Sequence, residues 1–285
     1  MKTVATPPAP RRPGPATPLP APGRRSAPEA DCLADSAGGL TFDLADRGRL
    51  LGAHLLLRRR SSEEEVRLPL TPAGTGRLRA ALPSSMDLAE GRWDVFAEPA
   101  GGRPVRLLPG LNDLRALVDR DPEGASRVAV RIPYPTKFGN LSVRSWQRSP
   151  HAEAGEIRVD PGLSTVHGRL YGAELGPGAR VEARSEGGEG RGRVHRFEAG
   201  GKGHAFELAL PHPELASQGP GDWSLWLRPA GASGPEVRIA QLLDDLHDRH
   251  AICTYPAAES GGLRVGPAYT EDNDLAMCVR EAAEA

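Results

Sequence analysis

Between Asp244 and His250 the sequence reads DDLHDRH, which sets two histidines three residues apart among three aspartates. Imidazole and carboxylate are zinc ligands and proton carriers, so this is the densest group of side chains able to do chemistry. A zinc centre needs three or four convergent donors, and on a helix His247 and His250 share one face with little else. The matching stretch of the first half holds Asn112 and Asp113 and has no histidine. The segment is therefore read as solvated helix surface. No metal is assigned, and His247, His250 and Asp244 stand as the candidates should one bind. The run Glu271, Asp272, Asn273, Asp274 has the look of a calcium loop but lacks the glycine and the terminal glutamate of an EF-hand. It reads as a tight turn that uses Asn for positive φ, like Lys137 to Asn140 in the first half. No G-x-S-x-G, S-x-x-K or H-E-x-x-H occurs, so no nucleophile or metalloprotease chemistry is indicated. No catalytic residue is assigned and no cofactor is expected.

A second pair of residues could bind without reacting. Gly91, Trp93, Val95 and Ala97 alternate with polar neighbours, and Gly221, Trp223, Leu225 and Leu227 do the same. Alternation places each tryptophan in a core, with Leu88 or Leu215 upstream and the indole N–H aimed at backbone behind it. The opposite face then carries Phe96 and Trp226 at equivalent places. An outward aromatic repeated in this way stacks on a sugar ring or a partner, packs the two units together, or lies covered by a neighbouring strand.

The elements holding these residues are repeated. GRLLGAHL (Gly48 to Leu55) returns as GRLYGAEL (Gly168 to Leu175), identical at six of eight positions. EGRWDVFAEPAGG returns as PGDWSLWLRPAGA, PVRLLPGLNDL as EVRIAQLLDDL, and TKFGNLSV as TEDNDLAM, in the same order. Strand-length alternating segments separated by Gly, Pro and Asn clusters give an all-β fold, with two tandem immunoglobulin-like β-sandwich domains. Each carries one short helical segment, Leu111 to Asp119 and Ala240 to His250. The expected domains are 38–149 and 150–285, joined by a polar linker near Gln147 to Glu156. Residues 1–37 are rich in Pro and Arg and are expected to form a disordered arm with polyproline II bias. It is either a docking arm or a plain spacer.

Composition narrows the partners. Lys plus Arg (36) nearly cancel Asp plus Glu (37), and aromatics make up 5%. Neither a basic field nor stacking platforms exist for nucleic acid. Lysine occurs only at Lys2, Lys137 and Lys202, and with abundant Ala, Gly and Pro this is the signature of a high-GC bacterial genome. Three cysteines, Cys32, Cys253 and Cys278, make no disulfide framework. The N-terminus has no apolar secretory region and no run is long enough to span a bilayer. The expected location is the cytoplasm, with no transmembrane segment.

The phrases PYPTKFGNLSVRSW, TVHGRLYGAEL, GDWSLWLRP and VRIAQLLDDL resemble a tandem β-sandwich family of high-GC bacteria loosely labelled transferases. Similar modules accompany CDP-glycerol glycerophosphotransferase and glycosyltransferase chains that build teichoic-acid-like envelope polymers. The match covers about residues 40 to 280 and carries no catalytic residue. It implies a non-catalytic binding or assembly module for envelope-polymer or glycan synthesis, with a glycosyltransferase or a glycan polymer as partner. The alternatives are a transferase with its site in copy-specific loops of the second repeat, and a purely structural spacer.

Overall fold

The computed structural model describes residues 27–46, 52–74, 76–118, 120, 122, 124–186 and 192–282. Residues 1–26 of the expected arm lie outside these. The rest of that expectation is corrected, because residues 29–34 form a strand whose alternate side chains, Ala30, Cys32 and Ala34, enter the core.

The first half lays down β1 (Glu29–Ala34), β2 (Leu40–Ala45), β3 (His54–Arg59), β4 (Glu65–Pro69), β5 (Thr71–Pro72) and β6 (Arg77–Leu82). These are followed by β7 (Gly91–Glu98), β8 (Val105–Arg106), β9 (Leu108–Asp113), helix α1 (Arg115–Val118), β10 (Val128–Pro135) and β11 (Leu141–Arg148). The second half adds β12 (His151–Asp160), β13 (Leu163–Tyr171), β14 (Arg180–Ser185), β15 (Val194–Lys202), β16 (Ala205–Pro211) and helix α2 (His212–Ala216). The chain ends with β17 (Gly221–Arg228), β18 (Val237–Ala240), helix α3 (Arg249–Ile252), β19 (Ala258–Ser260), β20 (Leu263–Tyr269) and β21 (Leu275–Glu281). The chain is all-β because period-two patterning dominates: β6, β7 and β16 each bury every second residue.

Strands of the first half pair in the orders β5-β6-β2-β1-β9 and β10-β11-β7-β3-β4, with β8 on β7. The second half pairs as β14-β15-β16-β13-β12-β18-β17-β21-β20-β19, and β14 also bonds β17. Seven strands there close on themselves, where two separate sheets were expected. Two corner strands cause this. The start of β15 pairs with β14 and its end with β16, while β18 bonds both β17 and β12. In the first half the equivalent corners are each divided into two short strands, β4 and β5 at Leu70 and β8 and β9 at Leu107. There the Leu70 and Leu107 N–H groups extend the β4–β3 and β8–β7 ladders to Ala53 O and Val95 O.

No polar linker separates the halves. β11 runs to Arg148 and β12 begins at His151, with both of these residues buried. Two apolar clusters form, one around Trp93, Trp146 and Phe42, the other around Trp223, Phe206 and Leu208. Tyr171, Ala240 and Leu242 of the second half belong to the first cluster. Trp93 donates its indole N–H to Ala89 O at 3.0 Å, whereas the buried Trp223 N–H has no acceptor among the described residues.

Helix is shorter than expected. Among the described residues of the two expected segments, helix is confined to Arg115–Val118 and to the start of Arg249–Ile252, and Leu111 to Asp113 belong to β9. The stripe of Leu242, Leu243 and Leu246 does not form on a helix. Glu153 accepts the backbone N–H groups of Leu242 and Leu243 at 2.9–3.0 Å, and Asp244 accepts that of Leu246. Side-chain oxygens thus take the donors that a helix would have used. Residues 241–248 are instead a strap laid across the first half.

Candidate functional site

Residues 270–274 form the turn between β20 and β21, with Asn273 at φ 59°, and Gly139 plays the same role at φ 74°. The second turn is also a docking knuckle. Arg144, Trp146 and Arg148, every second residue of β11, meet it through the Asp272 carboxylate, the Asp272 carbonyl at 3.0 Å and the Asp274 carboxylate. Asn273 is fully buried. Its amide donates to Leu246 O and its carbonyl accepts from Arg249 N–H, each at 2.9 Å. Turn and strap are thereby fastened together against the outward face of β7, β10 and β11.

Between them and that face opens a cleft of about 720 Å³. The first half contributes Arg60, Arg92, Asp94, Arg106, Arg144 and the hairpin from Tyr134 to Asn140, and the second half His247, Asp248, His250 and Glu271. Asp94 sits at a branch point, accepting from Arg60, from Ser142 Oγ at 2.8 Å and pairing with Arg106 at 3.0 Å. Burial pushes its carboxyl up, but the Arg60 and Ser142 hydrogen bonds and the Arg106 charge outweigh that and hold it below the usual range. Arg92 reaches Glu271 at 3.2 Å. Tyr134 is 8% exposed and stacks on His247, centroids 4.3 Å apart and planes 16° apart, and its buried hydroxyl has no hydrogen-bond partner among the described residues. Phe138 stands out at the rim, 78% exposed.

The histidines and aspartate singled out from sequence do not converge. Asp244 is bound to Arg249 and to Leu246 N–H, His250 Nδ1 lies 2.8 Å from Tyr269 O, and His247 lies flat on Tyr134. Burial, and then the Arg92 and Arg144 charges, lower the His247 pKa against the opposing pull of Asp248. Among the described residues no three His, Cys, Asp or Glu side chains are grouped to hold a metal. The reading of a single helical face is corrected, since His250 lies in α3 and His247 in the strap.

Phe96 and Trp226 do face outward, and each is bracketed by arginines. Arg58 and Arg106 lie 5.2 and 4.9 Å from the Phe96 centroid, Arg184 and Arg238 4.8 and 5.7 Å from that of Trp226. Cation–π contacts of this kind cover rings without sealing them, and both aromatics remain half-buried. Arg106 also lines the cleft, so Phe96 adjoins it. Trp226 does not line it.

Beside Trp226, Glu182 is 4% exposed among Arg180, Arg184, Arg196 and Arg228. Burial pushes its carboxyl up, but the Arg184 and Arg180 hydrogen bonds and the Arg228 charge overcome this and lower it to about 2. A depressed carboxylate adds stability that is full above its unfolded value and is lost as pH falls toward the folded one. Here the window runs from about pH 4.5 down to about 2. Glu182→Gln is expected to lose about 2 kcal/mol at pH 7, after allowance for partly exposed partners. Urea unfolding at pH 7 and pH 3 checks it: the difference between variant and parent should shrink at the lower pH.

Sequence reading missed Arg60, Arg92, Tyr134 and Lys137. They come from three segments of the first half, and the strap and turn of the second half wall them into a cleft.

No family model matches this chain, and no curated protein does. Solved structures that are similar include a 217–571 fragment of S. aureus TarS (14% identity, TM-score 0.30) and S. aureus TarS itself (15%, 0.28). The matches cover 64% of this chain, and 55% and 35% of those chains. Another is a pullulanase complexed with maltotriose from Anoxybacillus sp. LM18-11, at 9% identity, TM-score 0.25, 78% of this chain and 26% of that one. Among the described residues no helix is long and apolar enough to cross a membrane.

Proposed function

We propose that this chain is a non-catalytic binding and assembly module serving envelope-polymer or glycan synthesis in the cytoplasm. In this reading two copies of one all-β unit meet so that their seam becomes the ligand site. The observation that carries it is the cleft of about 720 Å³ lined by guanidinium groups of the first half and by ring faces from both halves. Its size falls within the range of small-ligand sites. Its lining offers charge and stacking surface without a nucleophile held by a base. The order of strand partners supports the duplication: β1 to β7 pair among themselves as β12 to β17 do, with β4 and β5 together standing for β15. The sequence resemblance to modules attached to envelope-polymer transferases supports the setting. Glycan-array binding with the full chain, together with pull-down of a defined glycosyltransferase, tests the proposal. Silence in both overturns it.

A further inference from the structure

We infer that a second pocket, at the end of β10 away from the seam cleft, takes the carboxylate of a short aliphatic acid or of a peptide C-terminus on Arg120. Its occupancy does not depend on that of the seam cleft.

The pocket holds about 310 Å³, the low end of small-ligand sites. The turn after β1 contributes Ser36, the turn after β6 Ser84 and Ser85, the approach to β10 Arg120 and Arg127, and the strap Leu243. Arg120 spends one nitrogen, Nη1, on Ala129 O at 3.0 Å. Its Nε and Nη2 are buried and have no hydrogen-bond partner among the described residues. Burial pulls its pKa down, against weaker upward pulls from the charges of Glu153, Tyr171 and Asp35. The neighbouring acids are already engaged. Asp87 pairs with Arg127 at 2.8 Å, and the Asp35 carboxylate accepts the N–H groups of Ala37 and Gly39 at 2.9 and 2.8 Å. Arg131, buried behind the same wall, donates to Pro83 O at 2.8 Å and to Met86 O, and takes no charge from the pocket.

A guanidinium kept from water with two of its nitrogens unanswered is costly. Nε–H and Nη2–H lie side by side along one edge of the group, and the two oxygens of a carboxylate match that edge. A turn of the side chain presents it to the opening. The serine hydroxyls add donors, while Ala125, Val128 and Leu243 give an aliphatic wall suited to a short hydrocarbon tail. Asp119, Asp121 and Glu123 flank Arg120 in the sequence and lie outside the described residues. A carboxylate from one of them on Arg120 is the rival occupant, and it predicts the opposite results.

The test is isothermal titration of the full chain at low salt. The probes are butyrate, acetyl-Gly-Ala with a free C-terminus, butyramide as the neutral control and inorganic phosphate as the tetrahedral anion. Binding of butyrate or of the peptide is expected, with butyramide silent and phosphate about tenfold weaker or worse. The two acids tell a free small acid from a chain end. Arg120→Lys, which keeps the charge and loses the paired donors, is expected to weaken binding about tenfold. Arg120→Met is expected to abolish it and to leave the melting temperature within about 4 °C of the parent, because no internal ion pair is lost. Phosphate binding as tightly as butyrate overturns the ligand class. Binding that survives Arg120→Met overturns the location. Silence of both acids, or a larger fall in the melting temperature of Arg120→Met, puts an internal carboxylate on Arg120 and overturns the inference. None of these results bears on the seam cleft, which the glycan array tests by itself.

Discussion

Arg148→Met is expected to lower the unfolding free energy by about 4 kcal/mol, because it strips one partner from a buried ion cluster. Arg148, 7% exposed at the end of β11, bonds Glu90 Oε1 at 2.9 Å in its own half and the Asp274 carboxylate in the other. Arg238 approaches the same two acids at 3.8 and 3.0 Å. Two cations and two anions thus neutralise one another across the seam. Burial works to lower the Arg148 pKa, but Glu90 and Asp274 more than compensate and raise it. Methionine fills the space and leaves two carboxylates to share one half-exposed arginine. Urea denaturation measures the loss, and a cycle with Asp274→Asn should give a coupling above about 1 kcal/mol. A single-variant loss below that figure would show that solvent relaxes the cluster.

The second large effect is expected from Glu153→Gln. One carboxylate accepts the N–H groups of Leu242 and Leu243 and lies 2.7 Å from His151 Nε2. Hydrogen bonds to a charged group contribute about 1.5–3 kcal/mol each and are partly redundant here, so a loss of about 3 kcal/mol is expected. The amide end of glutamine also turns donors toward donors. The strap then loosens and takes Leu242 out of the first cluster and His247 off Tyr134. Hydrogen exchange at 242–248 should accelerate well beyond that of β12. Unchanged protection would mean that packing of the leucines alone holds the strap.

Much of the fold was legible because strands announce themselves every second residue. Trp93 and Trp223, with Leu88 and Leu215 upstream, fall where alternation puts them. The helical reading of Ala240 to His250 failed for a specific reason. Leucines at i, i+1 and i+4 suit a helix, but the deciding group, Glu153, lies 89 residues from Leu242 in sequence. The Asp272–Asp274 turn was readable as a turn from Asn273, yet its grip on β11 depends on Arg144 and Arg148 in the other half. Phe96 and Trp226 were correctly placed outward; the arginines that cover them belong to neighbouring strands, and one strand's periodicity says nothing about those. The cleft was invisible for the same reason, being assembled from residues that no local pattern links.

Leu242, Ala240 and Tyr171 complete the interior of the half that is made first. On a ribosome the first half must therefore wait, with apolar surface uncovered, until Ala240 and Leu242 have emerged. Such a nascent chain is prone to swap straps with a neighbour, one copy's late segment closing another copy's early half.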